Sequence, residues 1–170
     1  MAPQFRSSAL ADMHPVVLYR VLRLRTDVFV VEQHCPYPEL DGRDLEPGSL
    51  MVWASDETDT GVGAGAGAGD SAGDHAHAVV AVLRILRDEA ALRIGRVAAH
   101  PSRRGTGLAG QLFRFALEEC ARVAPELPIV LDAQEPLEGW YEGYGFTRNG
   151  ETFVEDGIPH VPMTRKAASS

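Results

Sequence analysis

Cysteine is nearly missing from this chain: only Cys35 and Cys120 occur in 170 residues, in no C-x-x-C spacing. That excludes a disulfide framework and a structural zinc site, and makes a reducing cytoplasm the expected setting. An excess of positive charge is missing too. With a net charge of −8, the chain lacks the basic face that phosphate neutralisation demands, so nucleic-acid binding is not expected. Such a charge suits a cationic or amine substrate, and equally simple solubility. Long apolar runs are also lacking. The segment from Val16 to Val31 is broken by Arg20, Arg23, Arg25 and Asp27, so neither a membrane span nor a signal-peptide core is expected. The reading is a soluble protein with no membrane partner and no metal.

What is present fits one domain with a real core. Apolar residues at Val17, Leu18, Val21, Leu22 and Val28, with arginines between them, predict an amphipathic helix from His14 to about Val28, with Pro15 in its first turn. "VVEQHCPYPELDGRDLEPG" reads as a long irregular loop, the kind that tends to carry function. Strands are expected at Leu50–Ser55, Ala78–Leu86, Leu92–Ala99 and Ile129–Ala133, and the clearest helix at Leu108–Val123. "GWYEGYGF" suggests a short helix ending in a glycine turn. Last strands around Glu151–Val154 and His160–Arg165 flank "EDGIP". Residues 56–77 alternate glycine and alanine and offer little to bury, so they are expected to form a flexible insertion between two strands, clear of any cofactor site. Residues 1–12 and 166–170 are expected to be loosely ordered. One strand–helix–strand crossover inside a mainly antiparallel sheet makes the class α+β.

The chemistry hangs on "RRGTGLAGQL", residues 103–112, which contains a literal G-x-G-x-x-G. A dinucleotide site needs the first glycine directly after a buried strand and an acid at the end of the next one. Here "HPSRR" intervenes, Asp132 lies inside "IVLDAQ", and too little chain follows Gly110 for the other strands of that fold. A P-loop fails because no Lys-Ser/Thr follows the glycines. What remains is an anion site at a helix N-terminus: charge from Arg103 and Arg104, and close backbone approach at Gly105 and Gly107.

"VAAHPSRRGTGLAGQLFRFAL" resembles motif A of the GNAT superfamily of N-acetyltransferases, and "WYEGYGF" resembles its second signature. "VFVVEQHCPYPELDGRDL" and "EDGIPHVPM" are similar to its ElaA-like branch, so the resemblance runs from about Leu18 to Arg165. It implies a single GNAT-like domain with a mainly antiparallel sheet flanked by helices. It further implies direct transfer of an acetyl group from acetyl-CoA, the cosubstrate, to a primary amine. Arg103, Arg104, Gly105, Thr106, Gly107, Leu108 and Ala109 would hold the pyrophosphate, and Val97, Ala98 and Ala99 would pair with the pantetheine arm. Tyr141 takes the position of the general acid. The glutamate that many relatives carry before motif A is absent from "LRIGRVAA", so Glu32 and His160 stand as alternative candidates for the base. Phe29, Glu32, Glu39 and Asp41 are candidate substrate-binding residues. The resemblance also leaves room for a homodimer and for a small-molecule or peptide amine acceptor. The rival reading is an acyl-CoA-binding regulatory module without catalysis.

Overall fold

The structure is a computed structural model that describes residues 3–34, 37–55 and 79–167. Cys35 and the Gly/Ala-rich insertion therefore lie outside the described residues. Within them, eight strands form one sheet: β1 (Gln4–Ser8), β2 (Leu50–Ser55), β3 (Val79–Arg87), β4 (Leu92–Ala99), β5 (Ile129–Gln134), β6 (Thr147–Arg148), β7 (Phe153–Glu155) and β8 (Ile158–Arg165). Their order is β1-β2-β3-β4-β5-β8-β6, with β7 also on β8. The helices are α1 (Pro15–Thr26), α2 (Leu108–Val123) and α3 (Glu138–Glu142). Every strand pair is antiparallel except β4–β5, which α2 joins in parallel. The expected α+β crossover is thus present.

Each sheet face has its own core. On one side Leu108, Leu112, Phe113, Ala116 and Cys120 form the buried stripe of α2, packed against Leu83, Ile85, Leu92, Ile94 and Leu131. On the other, Val17, Val21 and Leu24 of α1 meet Met51, Trp53 and Val82. Burying each such side chain stabilises by about 1.5–3 kcal/mol. His14 caps α1, accepting from the Val16 N–H at 3.3 Å, and Pro15 occupies the first turn.

Residues 3–12 correct the expectation of a loose tail. Gln4–Ser8 form an edge strand in full register with β2, and Leu10–Asp12 make a short 3-10 turn. Two long-range contacts fix this strand. The Phe5 and Phe115 rings stack at 5.9 Å, and the Ser7 hydroxyl donates to Glu119 at 2.6 Å. The closing hairpin is also tighter than expected. Asp156 and Gly157 both have positive φ (50° and 79°), the Asp-Gly pattern of a two-residue primed turn, so β8 begins at Ile158.

Candidate active site

β4 and β5 pair at only two positions, Leu92 opposite Ile129 and Arg93 opposite Val130. Beyond these the strands part. On its other edge β4 carries a bulge, where the register against β3 shifts between Val82 and Arg84. Arg96 sits in that bulge at φ 55°, a left-handed conformation that costs a non-glycine residue energy and needs outside support. Glu39 provides it, with Oε2 2.7 Å from Arg96 Nε, and so does Tyr37, whose ring centroid lies 4.8 Å from the guanidinium carbon.

The parting opens a cleft of about 660 Å³ on the α1 side of the sheet. Gly95, Val97, Asp132 and Gln134 line it from the two strands, Phe29 and Gln33 from the segment after α1, and Tyr141 and His160 from α3 and β8. That segment, Asp27–Glu32, is a π-helical turn. The wider turn displaces the chain from the helix axis, as such insertions do at functional sites. The Gln134 amide donates to Gln33 at 3.3 Å, tying this wall to β5.

Tyr141 is 6% exposed and belongs to an aromatic cluster centred on Phe113, whose ring lies 4.9–5.8 Å from those of Trp140, Tyr141, Tyr144 and Phe146. Burial pushes its phenol pKa up, so the hydroxyl keeps its proton. His160 is half-buried and stacked on Phe153 at 5.8 Å. Its Nδ1 lies 2.8 Å from the Ile158 carbonyl oxygen. A carbonyl only accepts, so Nδ1 carries the hydrogen and Nε2 the lone pair.

At the start of α2, Gly105 (φ 75°) and Gly107 (φ 80°) adopt conformations that disfavour side chains, and a Cβ built on either meets nothing within 4 Å. Gly107 caps α2 with no side chain, leaving the first-turn N–H groups without intrahelical acceptors. The Thr106 hydroxyl closes the turn onto the Arg103 carbonyl at 2.7 Å. Leu108 is buried, while Arg104 to Gly107 are exposed and Arg103 and Ala109 half-buried. An open turn with unengaged main-chain donors fits a diphosphate. Of the strand residues expected to meet the pantetheine arm, Val97 lines the cleft, Ala98 packs on the α1 side and Ala99 on the α2 side.

Of the two candidate bases, His160 lines the cleft. The Glu32 carboxylate is instead held fork to fork by Arg104, at 2.6 and 2.8 Å, and these hydrogen bonds keep its pKa below the usual carboxylate range. The substrate loop needs correction as well. Glu39 has a side chain only 3% exposed, held between Arg25 and Arg96, so it does not face an acceptor. Asp41 lines the cleft, but Arg84 grips it at 2.6 and 2.7 Å. Those bonds hold its pKa down to about 2.

A buried ionic network explains both corrections. Arg25, fully buried, donates to Glu39 at 2.5 Å, to Asp44 at 2.9 Å and to the Glu39 carbonyl at 3.0 Å. Arg84 joins Asp44 to Asp41. Farther along the cleft Arg93 bridges Asp88 and Asp132 at 3.1 and 3.0 Å. The loop acids thus serve to fasten the loop to the sheet. The signal was in the sequence, as arginines inside otherwise apolar segments: Arg25 in "YRVLRLRTDVF" and Arg84 in "AVVAVLRIL". Cys120 lies in the core of α2, and burial pushes its thiol pKa up to about 12, which leaves it inert.

The acetyltransferase (GNAT) domain family matches residues 71–167, and the chain belongs to that family. Within it, similarity is to the ElaA group. Escherichia coli ElaA is 36% identical over 154 residues, spanning 88% of this chain and 87% of ElaA. The crystal structure of ElaA superposes with a TM-score of 0.80, covering 97% of this chain and all of that one. A UPF0039 protein of Mycobacterium tuberculosis is 39% identical over 158 residues, covering 91% of this chain and 87% of its own length. An acyl-CoA N-acyltransferase from Pseudomonas aeruginosa superposes with a TM-score of 0.82 at 35% identity, covering 96% of this chain and 99% of that one. The fold is that of the GNAT acyltransferases.

Proposed function

We propose that the chain moves an acetyl group from acetyl-CoA to a primary amine by direct attack within a ternary complex. One observation carries this reading: Tyr141 and His160 reach, from different elements, into the single cleft formed where β4 and β5 part. The turn Arg103–Ala109 is assigned the diphosphate and Val97–Ala99 the pantetheine arm. When bound, acetyl-CoA supplies the thioester, whose C–S bond breaks as the amine nitrogen bonds to the carbonyl carbon. The acceptor arrives as an ammonium with no lone pair, and Nε2 of His160 takes its proton. N–H groups at the end of β4 polarise the carbonyl and receive its developing charge. The Tyr141 hydroxyl protonates the departing sulfur. Two protons leave the nitrogen, the first to Nε2 of His160 before attack and the second to water as the C–N bond forms and the C–S bond breaks. Tyr141 gives one to the sulfur, and exchange with water resets both side chains with one proton released overall.

This division suits a phenol that burial keeps protonated and so able to donate. Phe29 faces the acceptor. The test is CoA thiol release against a panel of amines with the parent and Tyr141→Phe. Amine-dependent release, lowered about 10²-fold or more in the variant, is expected. Undiminished turnover by Tyr141→Phe removes the acid assignment. Tight CoA binding with no amine-dependent release leaves a binding module instead of an enzyme.

A further inference from the structure

Glu32 ends the π-helical turn that walls the cleft, and Arg104 opens the glycine turn before α2. They lie 72 residues apart in sequence, yet their side chains meet fork to fork, and Arg104 Nε donates to the Ala99 carbonyl at 3.1 Å. All three guanidinium nitrogens are thus committed to protein oxygens. The edge that Glu32 occupies is the one a diphosphate would engage, since both groups match the planar fork of arginine. Both side chains are 43% exposed, and ion pairs so exposed to water are weak enough to exchange.

We propose that Glu32 is a positioning residue that holds Arg104 as an internal counter-ion in the free protein and yields it to the diphosphate of the acyl donor. Donor binding thereby releases the Asp27–Glu32 turn and resets the acceptor wall. The inference rests on the reading that the turn Arg103–Ala109 binds CoA. Two features make the exchange consequential. Gly105 and Gly107 leave open space beside Arg104 where a Cβ would stand, so a new partner reaches it without displacing side chains. Phe29 and Gln33, on or next to the same turn, line the cleft, and Gln33 is bonded across it to Gln134. A change at Glu32 therefore reaches the acceptor side through a few residues of one turn. By linkage, whatever the donor does to the turn, the turn does to donor affinity.

CoA itself is the probe, titrated by calorimetry into the full chain, with hydrogen–deuterium exchange followed over residues 27–33. In the parent, CoA should speed exchange in that turn. Glu32→Gln should bind CoA more tightly, by up to about fivefold, the exchange value of an exposed pair, and more so at low salt. Its turn should already exchange fast and no longer respond to CoA. Glu32→Asp, which keeps the carboxylate, should restore the response, and Arg104→Gln should abolish it in either background. The proposal is overturned if Glu32→Gln binds CoA no better than the parent, or if the parent's turn ignores CoA. Lost turnover with unchanged CoA affinity would make Glu32 a base and also overturn it. Absence of CoA binding by the parent and every variant strikes the donor reading first, and this inference with it.

Discussion

Nδ1 of His160 donates to the carbonyl of Ile158 at 2.8 Å, on its own strand. That bond fixes both the tautomer and the direction of the ring, and Phe153 stacks against its face. His160→Asn should therefore lower kcat/KM for the amine by about 10²-fold and alter its pH–rate profile. CoA affinity should stay as in the parent. An unchanged pH–rate profile in the variant would exclude His160 as the base.

Gly95 lies on the floor of the cleft, and a Cβ there meets nothing within 4 Å. A glycine inside a strand normally weakens it by about 0.5–1 kcal/mol relative to alanine, so its presence calls for a reason. Under the proposed transfer, room for the acceptor is that reason. Gly95→Val should raise Tm or leave it level, keep CoA affinity, and raise the amine KM steeply. A variant that turns over amines with the parent's KM would show that acceptors do not pass over this residue.

Gly110 is the last glycine of the G-x-G-x-x-G string, and its role is packing. A Cβ there would lie 2.6 Å from the Tyr144 hydroxyl oxygen, and that ring is wedged 4.9 Å from both Phe113 and Trp140. Gly110→Ala should cost about 1–3 kcal/mol through overpacking, offset by up to about 1 kcal/mol of helix propensity. Removing the hydroxyl in Gly110→Ala/Tyr144→Phe should recover the loss. Denaturant unfolding of the two single variants and the double variant measures this, and simple additivity would refute the contact.

Acid should loosen the substrate loop early. Hydrogen bonds from Arg84 hold the Asp41 pKa down to about 2 in the folded protein, against about 3.9 when unfolded. A depressed carboxylate stabilises fully above its unfolded value and progressively less as pH falls toward the folded one. Because Asp41 is exposed, solvent screening limits this contribution to about 1 kcal/mol, lost between about pH 4 and 2. Asp41→Asn should be less stable than the parent at pH 7 and nearly level with it at pH 2. A constant gap between the two stability curves would contradict the assignment.

Much of the architecture was readable because apolar spacing and breakers agree with tertiary packing in β2, β4, α1 and α2. β1 was not, since "QFRSS" carries one large apolar residue and owes its order to Phe115 and Glu119, distant partners that no local pattern reveals. The glycine turn, Tyr141 and His160 lie in segments that carry the family resemblance, and the last two line the cleft. Glu39 and Asp41 misled for a physical reason. An acidic loop looks like a lure for cations until Arg25, Arg84 and Arg96 are seen beneath it, and those arginines come from three other elements. The pairing of Glu32 with Arg104 was equally invisible, because it depends on how a π-helical turn aims one carboxylate across the molecule.

The irregularity at Arg96 divides β4 into two stretches that alternate out of phase. Leu92 and Ile94 look toward α2 before it, whereas Val97 and Ala99 do so after it. Variation at Arg93 and Gly95 can thus reshape the cleft floor while Val97 and Ala99 keep their own facing. A lineage built on this strand could remodel one half of it without disturbing the other.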